Sequence, residues 1–235
     1  MFYIGIAMAA IVAVSICKKR GLPAFEIVYS AVYVMIGALF GSKLLFIIVS
    51  WDEIIKYDLS LIQVIKGGFV FYGGLIGGAL GLIIYTRQFA MKLIDFVDVY
   101  ATVLPLGHAC GRVGCFFAGC CYGMEYDGFL SHTYTASAGL TPLGIPLFPI
   151  QLIEAVCLLV LFAILLAVYF KSKKFGFVSK VYLVSYSILR FVLEFFRGDA
   201  ERGKLFLLST SQWVSILLVI LVITLTAAKK LKEKE

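Results

Sequence analysis

Apolar residues along this chain gather into seven runs, at about 1–17, 25–50, 68–86, 93–117, 149–170, 176–196 and 211–228. A helix needs roughly 20 apolar residues to cross the hydrocarbon core of a bilayer, and the pattern predicts one spanning helix for each run. The runs at 25–50 and 93–117 are long and carry polar residues, so tilted or broken helices are expected there. Short polar clusters separate the runs, except for one longer stretch at about 118–148 that holds Pro142, Gly144 and Pro146. Ordered loops of that length are often functional. Pro149 suits the first turn of the helix that follows. No tandem repeat or low-complexity linker interrupts the pattern. The expected architecture is all-α and polytopic, a single transmembrane domain over 1–235 with an outer loop or head segment at about 118–148.

Composition changes the picture by excluding alternatives. Hydrophobic residues make up 62% of the chain and charged residues 15%. A soluble domain averages about 45–50% and about 25%, so disorder, a coiled coil and an ordinary soluble enzyme are excluded. The first run lacks a basic start, and Lys18, Lys19 and Arg20 follow it, which argues against a secretory signal. The net charge of +7 comes from short basic clusters between apolar runs. With the N-terminus outside, the inner loops hold 13 of the 21 Lys and Arg, and the outer loops hold only Lys56, Lys66, Arg202 and Lys204. The positive-inside rule therefore predicts the N-terminus outside and the C-terminus in the cytoplasm. Asp52, Glu53 and Asp58 beside Trp51 fit an outer loop with an interfacial aromatic. The absence of a soluble basic surface argues against nucleic acid as a partner.

Candidate chemistry lies where polar groups interrupt the apolar runs. The third run reads GGFVFYGGLIGGALG from Gly67 to Gly81, with glycines four apart at 73/77, 74/78 and 77/81. Small residues at that spacing let helices approach closely in lipid. The alternative is bare backbone lining a substrate cleft, with Gly73 and Gly74 as candidates. In the sixth run Tyr182, Tyr186, Arg190 and Glu194 recur every four residues and Arg197 follows three later, a spacing that predicts one shared helix face. A charge at the bilayer centre costs about 2.5–3.5 kcal/mol on insertion scales, so these groups are expected to face the interior. Two readings stand, a structural ion pair or an anionic headgroup site. The second is favoured because a guanidinium forks onto a phosphate and two arginines exceed what one Glu needs.

Arg112 is the second anchor, in GHACGRVGCFFAGCCYG from Gly107 to Gly123. His108 lies four residues before it and Cys115 three after, and Gly111 and Gly114 leave the backbone around it open, as a phosphate cradle would need. The alternative is snorkelling to the interface. Lys43 is read as snorkelling outward, Glu154 with Gln151 as bonding to a neighbouring helix, and Asp95 and Asp98 as solvated or capping groups. Cys17 and Cys157 sit in apolar runs as core residues, whereas Cys110, Cys115, Cys120 and Cys121 crowd into twelve positions. Their spacing lacks the C-x-x-C or H-x-x-x-H pairs usual at zinc sites, so no metal or cofactor is expected. A disulfide in the outer loop or thiol exchange at Cys120 and Cys121 stays open. His132 has no recognisable partner in the pattern.

Four stretches, in order, resemble a known family. GGFVFYGGLIGG is similar to the glycine-rich motif of phosphatidylglycerol–prolipoprotein diacylglyceryl transferases, and GRVGCFFAGCCYG to that family's Gly-Arg signature. FPIQLIE resembles its Pro-x-Gln-x-x-Glu segment and LRFVLEFFRGD its Arg-Phe-x-x-Glu-Phe-x-Arg segment. The resemblance covers roughly 40–230 and implies a multi-pass enzyme of the bacterial plasma membrane. It implies that a lipobox cysteine of a prolipoprotein signal peptide attacks the glyceryl carbon of phosphatidylglycerol, or of a similar anionic phospholipid, and releases glycerol phosphate. Matching positions imply that Arg112, Arg190, Glu194 and Arg197 hold the phosphate and headgroup, and Gly73, Gly74, Gly111, Cys115 and Gly123 are the candidates to border the substrate. The chain departs from the family at Tyr72, Cys115 and Cys120, where the family has His, Asn and Glu. His108 is the candidate to take over the base role, with Tyr72 beside it as a catalytic candidate. The alternatives are a divergent anionic-lipid transferase with another acceptor, a membrane thiol-redox or metal-handling protein using the cysteine cluster, and a lipid or small-molecule transporter.

Overall fold

The computed structural model describes residues 1–138, 141–199 and 204–232. Arg202 and Lys234, which entered the charge count, lie outside the described residues. Among the described residues nine α-helices carry the fold: α1 (Phe2–Ile16), α2 (Ala24–Val49), α3 (Trp51–Lys56), α4 (Leu61–Lys66), α5 (Phe71–Gln88), α6 (Leu93–Ala118), α7 (Ile150–Lys171), α8 (Phe177–Leu193) and α9 (Thr210–Lys232). Each of the seven apolar runs is a helix. Four of these are long and apolar enough to cross a membrane: α2, α6, α7 and residues 210–228 of α9. At 15 and 17 residues, α1 and α8 are shorter. Both 26-residue helices, α2 and α6, run without interruption, α6 straight through Pro105. The small helices α3 and α4 occupy the stretch read from sequence as a plain loop. Ser60 and Gln63 close a reciprocal capping box at the start of α4, which satisfies backbone donors a loop would leave to water. Two short antiparallel pairs complete the inventory, β1 (His132–Thr133) with β2 (Pro146–Leu147) and β3 (Lys204–Leu205) with β4 (Leu208–Ser209).

The chain forms two compact units, one of residues 1–13 with 97–235 and one of residues 14–96. In the second unit α2 and α5 pack through glycine. A Cβ on Gly77 would run into the Gly37 carbonyl oxygen, and a Cβ on Gly73 into that of Gly41. Such contact between backbones is what small residues four apart permit in lipid, so the Gly73–Gly77–Gly81 stripe is used for helix packing. Gly74 faces the Ser42 hydroxyl. Outward side chains of α2 such as Ile36, Leu39 and Phe40 are exposed and apolar, a surface suited to hydrocarbon. Lys43 does not snorkel: its Nζ donates to the carbonyls of Val64, Gly67 and Gly68 at 3.2, 3.0 and 3.0 Å. It lies 4.1 Å from the Phe69 ring centroid. A cation there meets the orphan carbonyls that end α4.

In the first unit Asp98 is fully buried rather than solvated. Its carboxylate accepts from the Gly176 and Ser179 amides at 2.8 and 3.0 Å and from the Ser179 hydroxyl at 2.6 Å. It thus caps the N-terminus of α8 from another helix, where a negative charge is favoured. The segment between α6 and α7 folds back through β1 and β2 and through bridges from Gly123 to Arg197 and from Glu125 to Leu147. His132 finds partners there, 4.7 and 4.6 Å from the ring centroids of Phe116 and Tyr134.

Candidate active site

The last turns of α6, the first turns of α7 and the end of α8 bring a charged cluster together in the first unit. Proline at 149 starts α7, so Gln151 and Glu154 fall on its opening turns, and both are 1% exposed. Glu154 is the hub. Its Oε1 lies 3.1 Å from Arg112 Nε and 3.8 Å from His108 Nε2, and its Oε2 lies 4.0 Å from Arg197 Nη1. From separate helices, Arg112 contacts this buried acid and Arg190 lies within its electrostatic reach. Sequence reasoning ranked Glu154 as a minor interhelical group. Its signal was the pairing of Gln151 and Glu154 three apart on an otherwise apolar helix face.

Arg112 Nε also donates to His108 Nε2 at 3.2 Å. That lone pair is therefore engaged, the remaining ring proton sits on Nδ1, and the His108 ring meets the edge of Tyr186 at 5.7 Å between centroids. The Tyr182 and Tyr186 rings stack at 5.7 Å, and Arg190 Nη2 lies 2.6 Å from Glu194 Oε2 and donates to Ser211 Oγ at 3.3 Å. The shared helical face expected for all five residues of the stripe ends at Arg190. The α-helix stops at Leu193, Glu194–Phe196 form a 3₁₀ turn, and Arg197 is extended and bridged to Gly123. Arg197 reaches the cluster because the chain leaves the helix. Its Nε and Nη2 fork onto Asp199 at 2.9 and 2.8 Å. Burial works against its charge, but the Asp199 fork outweighs that cost and holds the guanidinium above its ordinary range. Asp199 was missed in the sequence because only the fold returns it to Arg197.

Several polar atoms of the cluster are buried without a hydrogen-bond partner among the described residues: Nη1 of Arg190, Nη1 of Arg197, both Glu154 oxygens and Oε2 of Glu194, which has its ion pair with Arg190. The Glu154 oxygens are held by charge and not by an aligned hydrogen bond. Among the described residues Nη1 of Arg190 makes no hydrogen bond and Nη1 of Arg197 has only the ionic contact with Glu154 at 4.0 Å, and a buried donor without a hydrogen bond costs about 1–3 kcal/mol. An arriving anion would relieve that cost.

A second group adjoins the first. Gly119 (φ 64°) and Cys121 (φ 56°) are both left-handed, and they turn the chain back over the end of α6. For Cys121 that conformation costs roughly 1–2 kcal/mol. The turn is tied down by Gln151 Nε2 donating to the Cys120 carbonyl at 2.8 Å and Ser137 Oγ donating to the Gly119 carbonyl at 2.7 Å. Thr141 Oγ1 donates to that same Gly119 carbonyl. As a result the sulfurs of Cys115, Cys120 and Cys121 lie within 4.8 Å of one another. No disulfide joins any of the six cysteines. A hydrogen bond from Cys115 and, against the cost of burial, one from Arg197 hold the Cys121 thiol below the usual thiol range.

Of the residues singled out in sequence, His108, Arg112, Cys115, Arg190, Glu194, Arg197 and Gly123 come together in this unit. Gly111 has open space where a Cβ would stand, while Gly114 meets Met1 and Gly123 meets the Phe148 carbonyl. Tyr72, Gly73 and Gly74 belong to the second unit, where Tyr72 meets the Phe71 ring edge at 5.9 Å.

Residues 1–228 match the family model described as prolipoprotein diacylglyceryl transferase. The whole chain is 33% identical to phosphatidylglycerol–prolipoprotein diacylglyceryl transferase 2 of Clostridium perfringens, covering 91% of that relative. The transferase of Clostridium tetani is 34% identical over 94% of this chain and 88% of its own length. That of Idiomarina loihiensis is 33% identical over 83% of this chain and 73% of its own. With the family model matching nearly end to end and relatives above 30% identity over most of their length, the chain belongs to the prolipoprotein diacylglyceryl transferase family.

Proposed function

We propose that this transferase moves the diacylglyceryl group of phosphatidylglycerol to the lipobox cysteine of a prolipoprotein signal peptide, releasing glycerol phosphate, as a step of lipoprotein biosynthesis. The observation that carries the reading is the meeting of Arg112 and Arg197 on Glu154, with Arg190 in electrostatic reach, where Nη1 of Arg190 and Nη1 of Arg197 are buried and make no hydrogen bond among the described residues. A phosphodiester supplies the acceptors those donors lack, and the charge that builds on the leaving phosphate as the carbon–oxygen bond breaks is stabilised by the same groups. In this reading Arg112, Arg190 and Arg197 hold the phosphate, Glu194 aims Arg190 and Glu154 aims Arg112. Within the first unit Gly111, Cys115 and Gly123 border the substrates and His108 is the group able to accept a proton, while Tyr72, Gly73 and Gly74 belong to the second unit, where Gly73 packs against Gly41. His108 becomes free to do so when Arg112 turns from its Nε2 to the phosphate. The whole chain serves as one membrane domain, with seven spans in the bacterial plasma membrane, the N-terminus outside and the C-terminus in the cytoplasm. The excess of basic residues in the inner loops supports that orientation.

The test is mass spectrometry of products after incubating the purified protein with phosphatidylglycerol vesicles and a lipobox peptide. The reading requires the peptide to gain a diacylglyceryl group on its cysteine and glycerol phosphate to appear in equal amount. Unmodified peptide with folded protein and intact lipid would overturn it. An acceptor thiol other than the lipobox cysteine would point to the divergent transferase.

A further inference from the structure

Three thiols meet at the turn after α6, beside the arginines, and the phosphate reading gives none of them a chemical step. Cys115 sits on the last turn of the helix, and the Cys120 amide donates back to its carbonyl at 3.1 Å. The left-handed residues Gly119 and Cys121 fold the chain so that the three sulfurs lie within 4.8 Å of one another. The side-chain bonds to the Gly119 and Cys120 carbonyls fix this turn before any ligand arrives. Among the described residues no fourth His, Cys, Asp or Glu joins the group.

We propose that Cys115, Cys120 and Cys121 form a three-thiolate site for a soft divalent cation of the zinc class, with the fourth position left for the acceptor thiol. Tetrahedral zinc with bonds of about 2.3 Å sets its sulfurs roughly 3.8 Å apart, so each thiol needs to move by no more than about an ångström. Three protein ligands and one open position are the arrangement of catalytic zinc, whereas structural zinc is closed by four. Three thiolates around a dication leave an excess negative charge. Arg112 lies within electrostatic reach of all three sulfurs and Arg197 hydrogen-bonds Cys121, which offsets part of that charge even though Glu154 and Asp199 share these arginines.

The proposal rests on the diacylglyceryl-transfer reading and gives it a nucleophile. The thiolate and not the thiol attacks carbon. On entering the fourth position the acceptor thiol gives up its proton to His108, the proton acceptor in the transfer reading. A lone pair of its sulfur forms the bond to the glyceryl carbon. The carbon–oxygen bond breaks with its electron pair going to the phosphate oxygen, and glycerol phosphate leaves. The thioether product is a weaker ligand and departs, and nothing is oxidised or reduced.

The experiment uses full-length protein purified in detergent without chelator, with zinc measured by mass spectrometry, and a parallel sample exchanged with cobalt(II). The proposal expects about one zinc per chain, bound by the wild type and by the control Cys157→Ala, and lost in Cys115→Ser/Cys120→Ser and in Cys121→Ser. It expects thiolate-to-cobalt charge-transfer absorption, and visible bands that shift when a lipobox peptide is added but not when its cysteine is serine. Chelation is expected to slow transfer on the order of a hundredfold or more, the scale of thiol activation, with recovery on adding zinc. No zinc above the cysteine variants, a cobalt spectrum without thiolate absorption, or transfer at full rate in metal-free protein each overturns it, and the last leaves the transfer reading intact. Zinc binding with the peptide-dependent cobalt shift but no lipidated peptide would instead sustain the metal site and sink the transfer reading.

Discussion

Replacing Arg190 by lysine separates a headgroup-binding arginine from one that merely pins helices. Arg190 is 8% exposed, bonds Glu194 and Ser211 through one terminal nitrogen, and leaves the other buried and unbonded. A lysine ammonium can keep the Glu194 contact, since it carries the same charge on a long stem. It lacks the planar fork that presents a second donor in a fixed direction. If the free donor binds the phosphate, the variant loses one charge-assisted hydrogen bond of about 1.5–3 kcal/mol. Felt in the transition state, that is a rate loss of roughly ten- to over a hundredfold. A purely structural arginine predicts the opposite division, a lower melting temperature with little change in turnover. The assay is transfer to a lipobox peptide per folded molecule, with thermal unfolding recorded on the same preparation. Near-wild-type turnover in a destabilised Arg190→Lys protein would refute the headgroup assignment.

Glu154→Gln removes the acid between Arg112 and Arg197 without changing its shape, and breaking a buried pair from one side is expected to cost about 3–5 kcal/mol, read as a large drop in melting temperature. Gly77→Ala puts a methyl against the Gly37 carbonyl and should destabilise by about 1–3 kcal/mol. Gly111→Ala, with open space at its Cβ, should be neutral or stabilise its helix by roughly 0.5–1 kcal/mol, and a fall in turnover without a fall in stability there would mark a substrate contact. Asp98→Asn keeps one acceptor oxygen for the start of α8 and loses the other, so a loss of about 1–3 kcal/mol is expected in thermal unfolding.

What could be seen in the sequence was whatever depends on neighbours along the chain. Each of the seven apolar runs is helical, with four helices among the described residues long and apolar enough to span, and the glycine stripe at 73, 77 and 81 packs helices because four-residue spacing places those positions on one side whatever lies opposite. The Arg190–Glu194 pair was visible for the same reason. What could not be seen depends on which helix lies opposite. Asp98 caps α8 across the fold, Lys43 closes α4, and Glu154 gathers arginines from other segments, and no local period encodes those meetings. The cysteines hid for a further reason. Their spacing matches no helical metal pattern, and only two left-handed residues at a helix end fold Cys120 and Cys121 over Cys115.

The cluster also changes what an anion site means here. From sequence, arginines in an apolar helix imply attraction by excess positive charge. In the structure each arginine has an acid: Glu154 for Arg112, Glu194 for Arg190 and Asp199 for Arg197. Long-range attraction is therefore largely cancelled, and unpaired guanidiniums in lipid would be costly to insert. What the acids leave free is direction. Each holds one edge of a planar fork, and at Arg190 and Arg197 the buried donor on the other nitrogen stays open. An anion recognised this way is selected by the placement of its oxygens more than by its charge. A phosphodiester with two free oxygens fits such a site better than a simple monovalent ion. It follows that raising ionic strength, which screens attraction between exposed charges, should weaken phosphatidylglycerol binding far less than Arg190→Lys does, even though the salt acts on every charge and the substitution alters none.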